Sequence, residues 1–160
     1  MKDLKELLLA ALRAEIDSRN FYEGLAGRVK NFLLKDRLNF LAGEEEKHRR
    51  YFQSVLESRF PGEEIVPPSV TPVPIPRLEL PHEMVPISEL LWQAMQAEKA
   101  AEEFYTEIAK HFEEGSQEQK MTLYIAAMER GHYRLLEQER ESALKFEDAD
   151  FTWPMTHVGP

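Results

Sequence analysis

The chain has 160 residues, 31% of them charged, and a formal net charge of −9 at pH 7. That length fits one domain with a sizeable core, and an acidic balance with cations interspersed argues against nucleic acid or an anionic membrane as partner. There is no cysteine, so disulfides, thiolate zinc sites, iron–sulfur clusters and a cysteine nucleophile are excluded, and any metal must be held by oxygen and nitrogen.

The first helical stripe, over roughly Asp3 to Gly27, runs through Leu4, Leu8, Ala11, Glu15, Ser18, Tyr22 and Leu25. Its apolar run from Leu7 to Leu12 stops at Arg13 and follows Asp3 and Glu6, which fits neither a signal sequence nor a membrane span, so the expected compartment is the cytoplasm. The second stripe, over roughly Asn31 to Arg59, uses Leu34, Leu38, Leu41, Glu45, His48, Phe52 and Val55. Residues 60–86 follow, with eight of the ten prolines, and cannot be helix interior.

The third stripe, over roughly Ile87 to Glu114, takes in Leu91, Ala94, Glu98, Ala101, Tyr105, Ile108 and Phe112. The fourth, over roughly Ser116 to Phe146, takes in Thr122, Ile125, Glu129, His132, Leu136, Ala143 and Phe146. Steps of three and four mark one buried face per helix. Ser88 and Ser116 are expected N-caps, and Gly115 a terminator. Residues 147–160 show no helical pattern and are expected to form a tail; its aromatic residues would pack on the body or on a partner subunit.

The expected fold is therefore an all-α four-helix bundle over residues 1–146. Helix pairs at about 3–59 and 87–146 are joined by the crossover 60–86. An extended crossover of 27 residues reaches about 80 Å, whereas a helix of 28 residues spans about 40 Å. The second and third helices can therefore lie parallel.

The two halves repeat each other. Glu6-Leu7-Leu8, Ala11, Ala14-Glu15, Phe21-Tyr22 and Ala26 return 83 residues later as Glu89-Leu90-Leu91, Ala94, Ala97-Glu98, Phe104-Tyr105 and Ala109. Ala42, Glu45, His48, Arg50 and Glu57-Ser58 return 84 residues later as Ala126, Glu129, His132, Arg134 and Glu141-Ser142. Alone, the run Glu45 to Arg50 reads as a solvated, ion-paired helix face. Its Glu and His, however, fall on the buried stripe, where an unpaired carboxylate costs several kcal/mol. They also survive duplication, while Glu46 and Lys47 become Arg130 and Gly131.

One Glu from each of two helices and a Glu-x-x-His from each of the other two form the inward ligand set of dinuclear carboxylate bundles. Four carboxylates balance two divalent cations. Oxygen with imidazole nitrogen suits iron or manganese, and zinc less exclusively. Glu45 and Glu129 are the expected bridges, His48 and His132 take one ion each, and Glu15 and Glu98 are terminal. Tyr22 and Tyr105, each seven residues after a ligand Glu, are candidate catalytic groups acting through hydrogen bonds to the carboxylates, although core packing would equally explain a buried Tyr. His82, His111 and His157 read as surface residues, and Met84, Met95, Met121 and Met128 as core filler.

The set Glu15, Glu45-x-x-His48, Glu98 and Glu129-x-x-His132, with the Tyr at plus seven, resembles the rubrerythrin branch of the ferritin-like superfamily over about residues 3–146. The resemblance implies a non-haem di-iron centre that reduces hydrogen peroxide to water with electrons from rubredoxin or a similar carrier. The four cysteines of the rubredoxin domain usual in that family are missing, so the electrons would come from another protein. An extra third-helix Glu is also usual there; Met95 and Ala101 hold the three-residue spacings from Glu98, and only Glu102 at plus four could substitute. A homodimer is the expected assembly. The alternatives are a ferroxidase or iron-storage protein, and a bundle whose metal site is structural or vestigial.

Overall fold

The computed structural model describes residues 3–72 and 74–156, with side chains described through residue 147. It contains four helices: α1 Leu4–Arg28, α2 Phe32–Arg59, α3 Ile87–Ala109 and α4 Gln117–Thr156. Asp3 caps α1, its carboxylate accepting from the Glu6 amide at 2.8 Å, and Asn31 caps α2 through the Leu34 amide at 3.0 Å. The side chain of Ser116 accepts from the Gln119 amide at 3.1 Å, as an N-cap of α4 should.

Ser88 does not cap α3. The helix begins one residue earlier, after Pro86, which has no side chain that can accept. Instead Glu147 of α4 accepts from the Ser88 amide at 3.1 Å and from its hydroxyl at 2.6 Å. A carboxylate at a helix N-terminus satisfies a free amide and meets the positive end of the helix dipole.

α3 is shorter than its stripe. It stops at Ala109, where the amides of Lys110 and His111 turn back to Glu107 and Ile108. Gly115 lies further on, at φ +77° in the turn before α4. Phe112 is buried even so. α4, by contrast, continues past Phe146 to Thr156, so the tail expected over 147–160 is helical for most of its length. Phe146 is 63% exposed. His157 and the expected packing of the aromatic tail lie outside the residues whose side chains are described.

α1 packs along α2 and α3 along α4; between the pairs the backbones of α1 and α3, and of α2 and α4, approach each other, while across one diagonal Phe52 of α2 reaches the Tyr105 ring of α3 at 4.9 Å between centroids. Ion pairs Arg37–Glu139 and Arg59–Glu118, both 2.6 Å, fix α2 and α4 as antiparallel neighbours. The crossover runs beside α1 and in its direction. Glu63 pairs with Lys5, the Thr71 hydroxyl donates to Asp17 at 2.5 Å, Leu80 lies against Gly24, and Arg28 donates to the carbonyl of Pro81 at 2.5 Å. Ile75 and Leu78 of the crossover are buried. Having travelled the length of the bundle, the chain re-enters with α3 parallel to α2. This is the ferritin-like four-helix bundle.

The core has two hydrophobic blocks. One gathers Leu8, Leu12, Phe52, Leu56, Ile108 and Ile125 around the α1 N-terminus. The other gathers Phe21, Leu25, Leu38, Leu41, Leu91 and Leu136 toward the opposite end. Of the four methionines expected in the core, Met95 is buried and Met128 half-buried. Met84, in the crossover, is fully exposed, and Met121, on the outer side of α4, is 45% exposed.

Candidate metal centre

Between the two apolar blocks lies one polar layer. Glu15, Glu45, His48, Glu98, Glu129 and His132 are each no more than 5% exposed and come from all four helices. His48 directs Nδ1 at Glu129 (2.8 Å), Glu45 (3.2 Å) and Glu15 (3.6 Å). His132 directs Nδ1 at Glu129 (3.1 Å), Glu45 (3.4 Å) and Glu98 (3.7 Å). The two rings lie nearly parallel, 5.6 Å apart and 16° from coplanar.

These contacts resolve into two sets, Glu15, Glu45, His48 and Glu129, and Glu45, Glu98, Glu129 and His132, each with its ligand atoms within 4.8 Å of one another. Glu45 and Glu129 belong to both. The three-residue spacing of Glu-x-x-His on α2 and α4 turns both side chains toward one face, and the antiparallel pairing of these helices brings the two motifs together. Glu15 and Glu98 close the layer from α1 and α3.

Protein groups alone do not satisfy the layer. His48 Nδ1 lies close to Glu129 and Glu45 without the alignment of a hydrogen bond, so both carboxylate oxygens of Glu45, both ring nitrogens of His48 and Oε1 of Glu129 are buried with their hydrogen bonding unsatisfied. Burial pushes the Glu45 carboxyl well above its usual range, and the neighbouring carboxylates of Glu129, Glu98 and Glu15 push it further. The same causes bring Glu129 up to about 8. Burial works in that direction on Glu98 too, but its contacts with His132 outweigh it and hold Glu98 down at about 2. For both histidines burial opposes the charged ring, and the surrounding carboxylates overcome it, raising both above the ordinary histidine range. Cations entering the layer would displace protons and occupy the orphaned atoms.

Each tyrosine crosses to the other repeat. Tyr22 of α1 donates to Glu98 of α3, and Tyr105 of α3 donates to Glu15 of α1 at 2.5 Å. Because α1 and α3 run antiparallel, seven residues forward on one helix match seven back on the other, so one spacing serves both bonds. Burial, reinforced by the adjoining carboxylates, raises both phenol pKa values well above the usual range and keeps the O–H as donor.

Glu102 stands apart. It pairs with Arg130, with Nε at 2.7 Å, on the outer side of α3 and α4. The matching positions of the first repeat carry the pair with its charges exchanged, Arg19 to Glu46 at 2.6 Å. Arg49 and Arg50 also bind Glu46, and chiefly through Arg49 it is held down at about 2. His82 and His111 lie on the surface.

The family model for rubrerythrin matches residues 6–140. The chain belongs to the rubrerythrin family. The match takes in all six clustered residues and both tyrosines, and ends before the overhang of α4. As a rubrerythrin, the chain is also similar to the solved structure of a hypothetical protein from Pyrococcus furiosus, at 36% identity and a TM-score of 0.82, over 90% of this chain and 92% of that one. No curated protein matches it. The buried carboxylate and imidazole layer fits the di-iron centre of a rubrerythrin. No helix among the described residues is long and apolar enough to cross a membrane.

Proposed function

We propose that the protein is a cytoplasmic non-haem di-iron oxidoreductase that reduces hydrogen peroxide to water. The observation that carries this reading is the pair of ligand sets sharing Glu45 and Glu129, because shared carboxylates make one dinuclear centre of two sites. Glu15 and His48 complete one side; Glu98 and His132 complete the other. Two iron ions held there would supply Lewis acidity and two electrons per cycle. Manganese fits the same donors, whereas zinc fits them without redox chemistry.

The reaction consumes one peroxide, two protons and two electrons; the O–O bond breaks and two waters leave. The chain's own residues arrange for it. Tyr22 and Tyr105 hold the terminal carboxylates in orientation and are positioning residues rather than ligands. The apolar blocks on either side keep bulk water from the layer, which strengthens every charge interaction within it. With no cysteine in the 160 residues, no thiolate centre among them supplies electrons, and a carrier such as rubredoxin fills that role.

A ferroxidase or storage protein would pass its iron onward, whereas a peroxide reductase would keep it in the buried layer through the cycle. The test loads the protein with ferrous iron and adds stoichiometric peroxide or dioxygen to the reduced form. Faster reaction with peroxide, repeated turnover when reductant is supplied, and iron retained at two per chain are expected. Iron accumulating well beyond that ratio in a large hollow assembly would establish storage instead.

A further inference from the structure

The proposed reaction takes two electrons per turnover from outside these residues, and the centre that receives them is buried, so the donor must bind the surface close by. One part of the surface has the right chemistry. Between α3 and α4 lies a groove of about 340 Å³ lined by Lys99, Glu102, Arg130, Tyr133, Arg134 and Glu137. Lys99, Arg130 and Tyr133 directly follow the metal-site residues Glu98, Glu129 and His132 in sequence. The groove wall is therefore the outer side of the same helical turns that carry half of the ligands.

The charges of the groove are not internally settled. Glu102 is taken up by Arg130. Lys99 and Arg134 are exposed and form no ion pair among the described residues; Glu137 also lines the groove, and Glu103 lies one turn after Lys99. Trp92 lies seven residues before Lys99, two turns along the same face of α3, and is 47% exposed. A half-exposed Trp about 10 Å along the helix from an exposed, unpaired cation adds an aromatic anchor of the kind enriched in binding hot spots. The surrounding chain has a net charge of −9. An acidic partner is repelled by most of this surface and attracted here, which orients its approach.

We propose that this groove, with Trp92 two turns before it on α3, is the docking surface for an acidic one-electron carrier protein, which delivers electrons into the Glu98 and His132 side of the centre. The assignment rests on the peroxide-reductase reading. Each turnover oxidises two reduced carriers by one electron apiece, and those electrons balance the cleavage of one peroxide.

The test follows reoxidation of an acidic reduced rubredoxin by the iron-loaded, oxidised protein under rapid mixing. K99E/R134E should slow the second-order rate by about tenfold or more at low ionic strength, and the difference should shrink as salt screens it. W92A should slow the rate at both low and high salt. Reduction by methyl viologen radical, which needs no docking site, should be unchanged in both variants, as should iron content. R49E/R50E puts the same charge change on the opposite helix pair and should slow rubredoxin far less. Equal rates for wild type and K99E/R134E, or equal slowing by the two charge reversals, would overturn the assignment. Peroxide reduction by viologen-reduced protein is scored separately: if it proceeds while the groove variants behave as wild type, only the docking surface is wrong, and if it fails, the proposed reaction is wrong.

Discussion

At the scale of the residue, the tyrosines connect the chemistry to the packing. Each gives its hydroxyl hydrogen to a terminal carboxylate on the other repeat, so each is a crossbar between α1 and α3 at the level of the metal layer. Removing one hydroxyl takes a charge-assisted bond from a buried carboxylate, a loss of about 1.5–3 kcal/mol. Tyr22→Phe and Tyr105→Phe are expected to unfold at lower denaturant, to keep two metals per chain, and to turn over peroxide about tenfold more slowly. Unaltered turnover in both variants, with only the stability loss, would leave them as packing residues. The gathering of the six side chains into one buried layer was legible in the sequence because burial and repetition act on the same positions. The crosswise tyrosine bonds were legible in part: the plus-seven spacing was visible, but which carboxylate it served depended on the direction of α3 against α1. Glu102 shows the converse. Its spacing from Glu98 fitted a ligand, yet its place on the helix turns it outward to Arg130.

At the scale of the element, the helix ends departed most from the sequence reading, for the reason that ends are settled by partners rather than by periodicity. Phe112 continues the α3 stripe and is buried, yet the helix stops at Ala109. α4 runs on past the core, where an apolar stripe is no longer needed to hold it. The start of α3 is the clearest case, because its cap is a carboxylate 59 positions away and no local motif encodes it. Glu147→Ala should cost about 1 kcal/mol of stability in urea unfolding, near the typical value for losing a helix cap, and Glu147→Gln, which keeps an acceptor, should cost less. An unchanged midpoint for the Ala variant would remove Glu147 as the cap.

At the scale of the molecule, a duplicated helix pair and a long crossover bring four Glu and two His into one buried layer. The crossover follows α1 from Lys5 to Arg28, which lets α2 and α3 run parallel and brings Glu45 and Glu129 to the same depth from opposite pairs. The central claim is that these two residues serve both ions. Elemental analysis after ferrous reconstitution tests it most directly, on the wild type and on Ala variants at Glu15, Glu98, Glu45 and Glu129. The account predicts two irons per chain in the wild type, about one in the Glu15 and Glu98 variants, and close to none in the Glu45 and Glu129 variants. One iron or fewer in the wild type, or equal losses at all four positions, would contradict it.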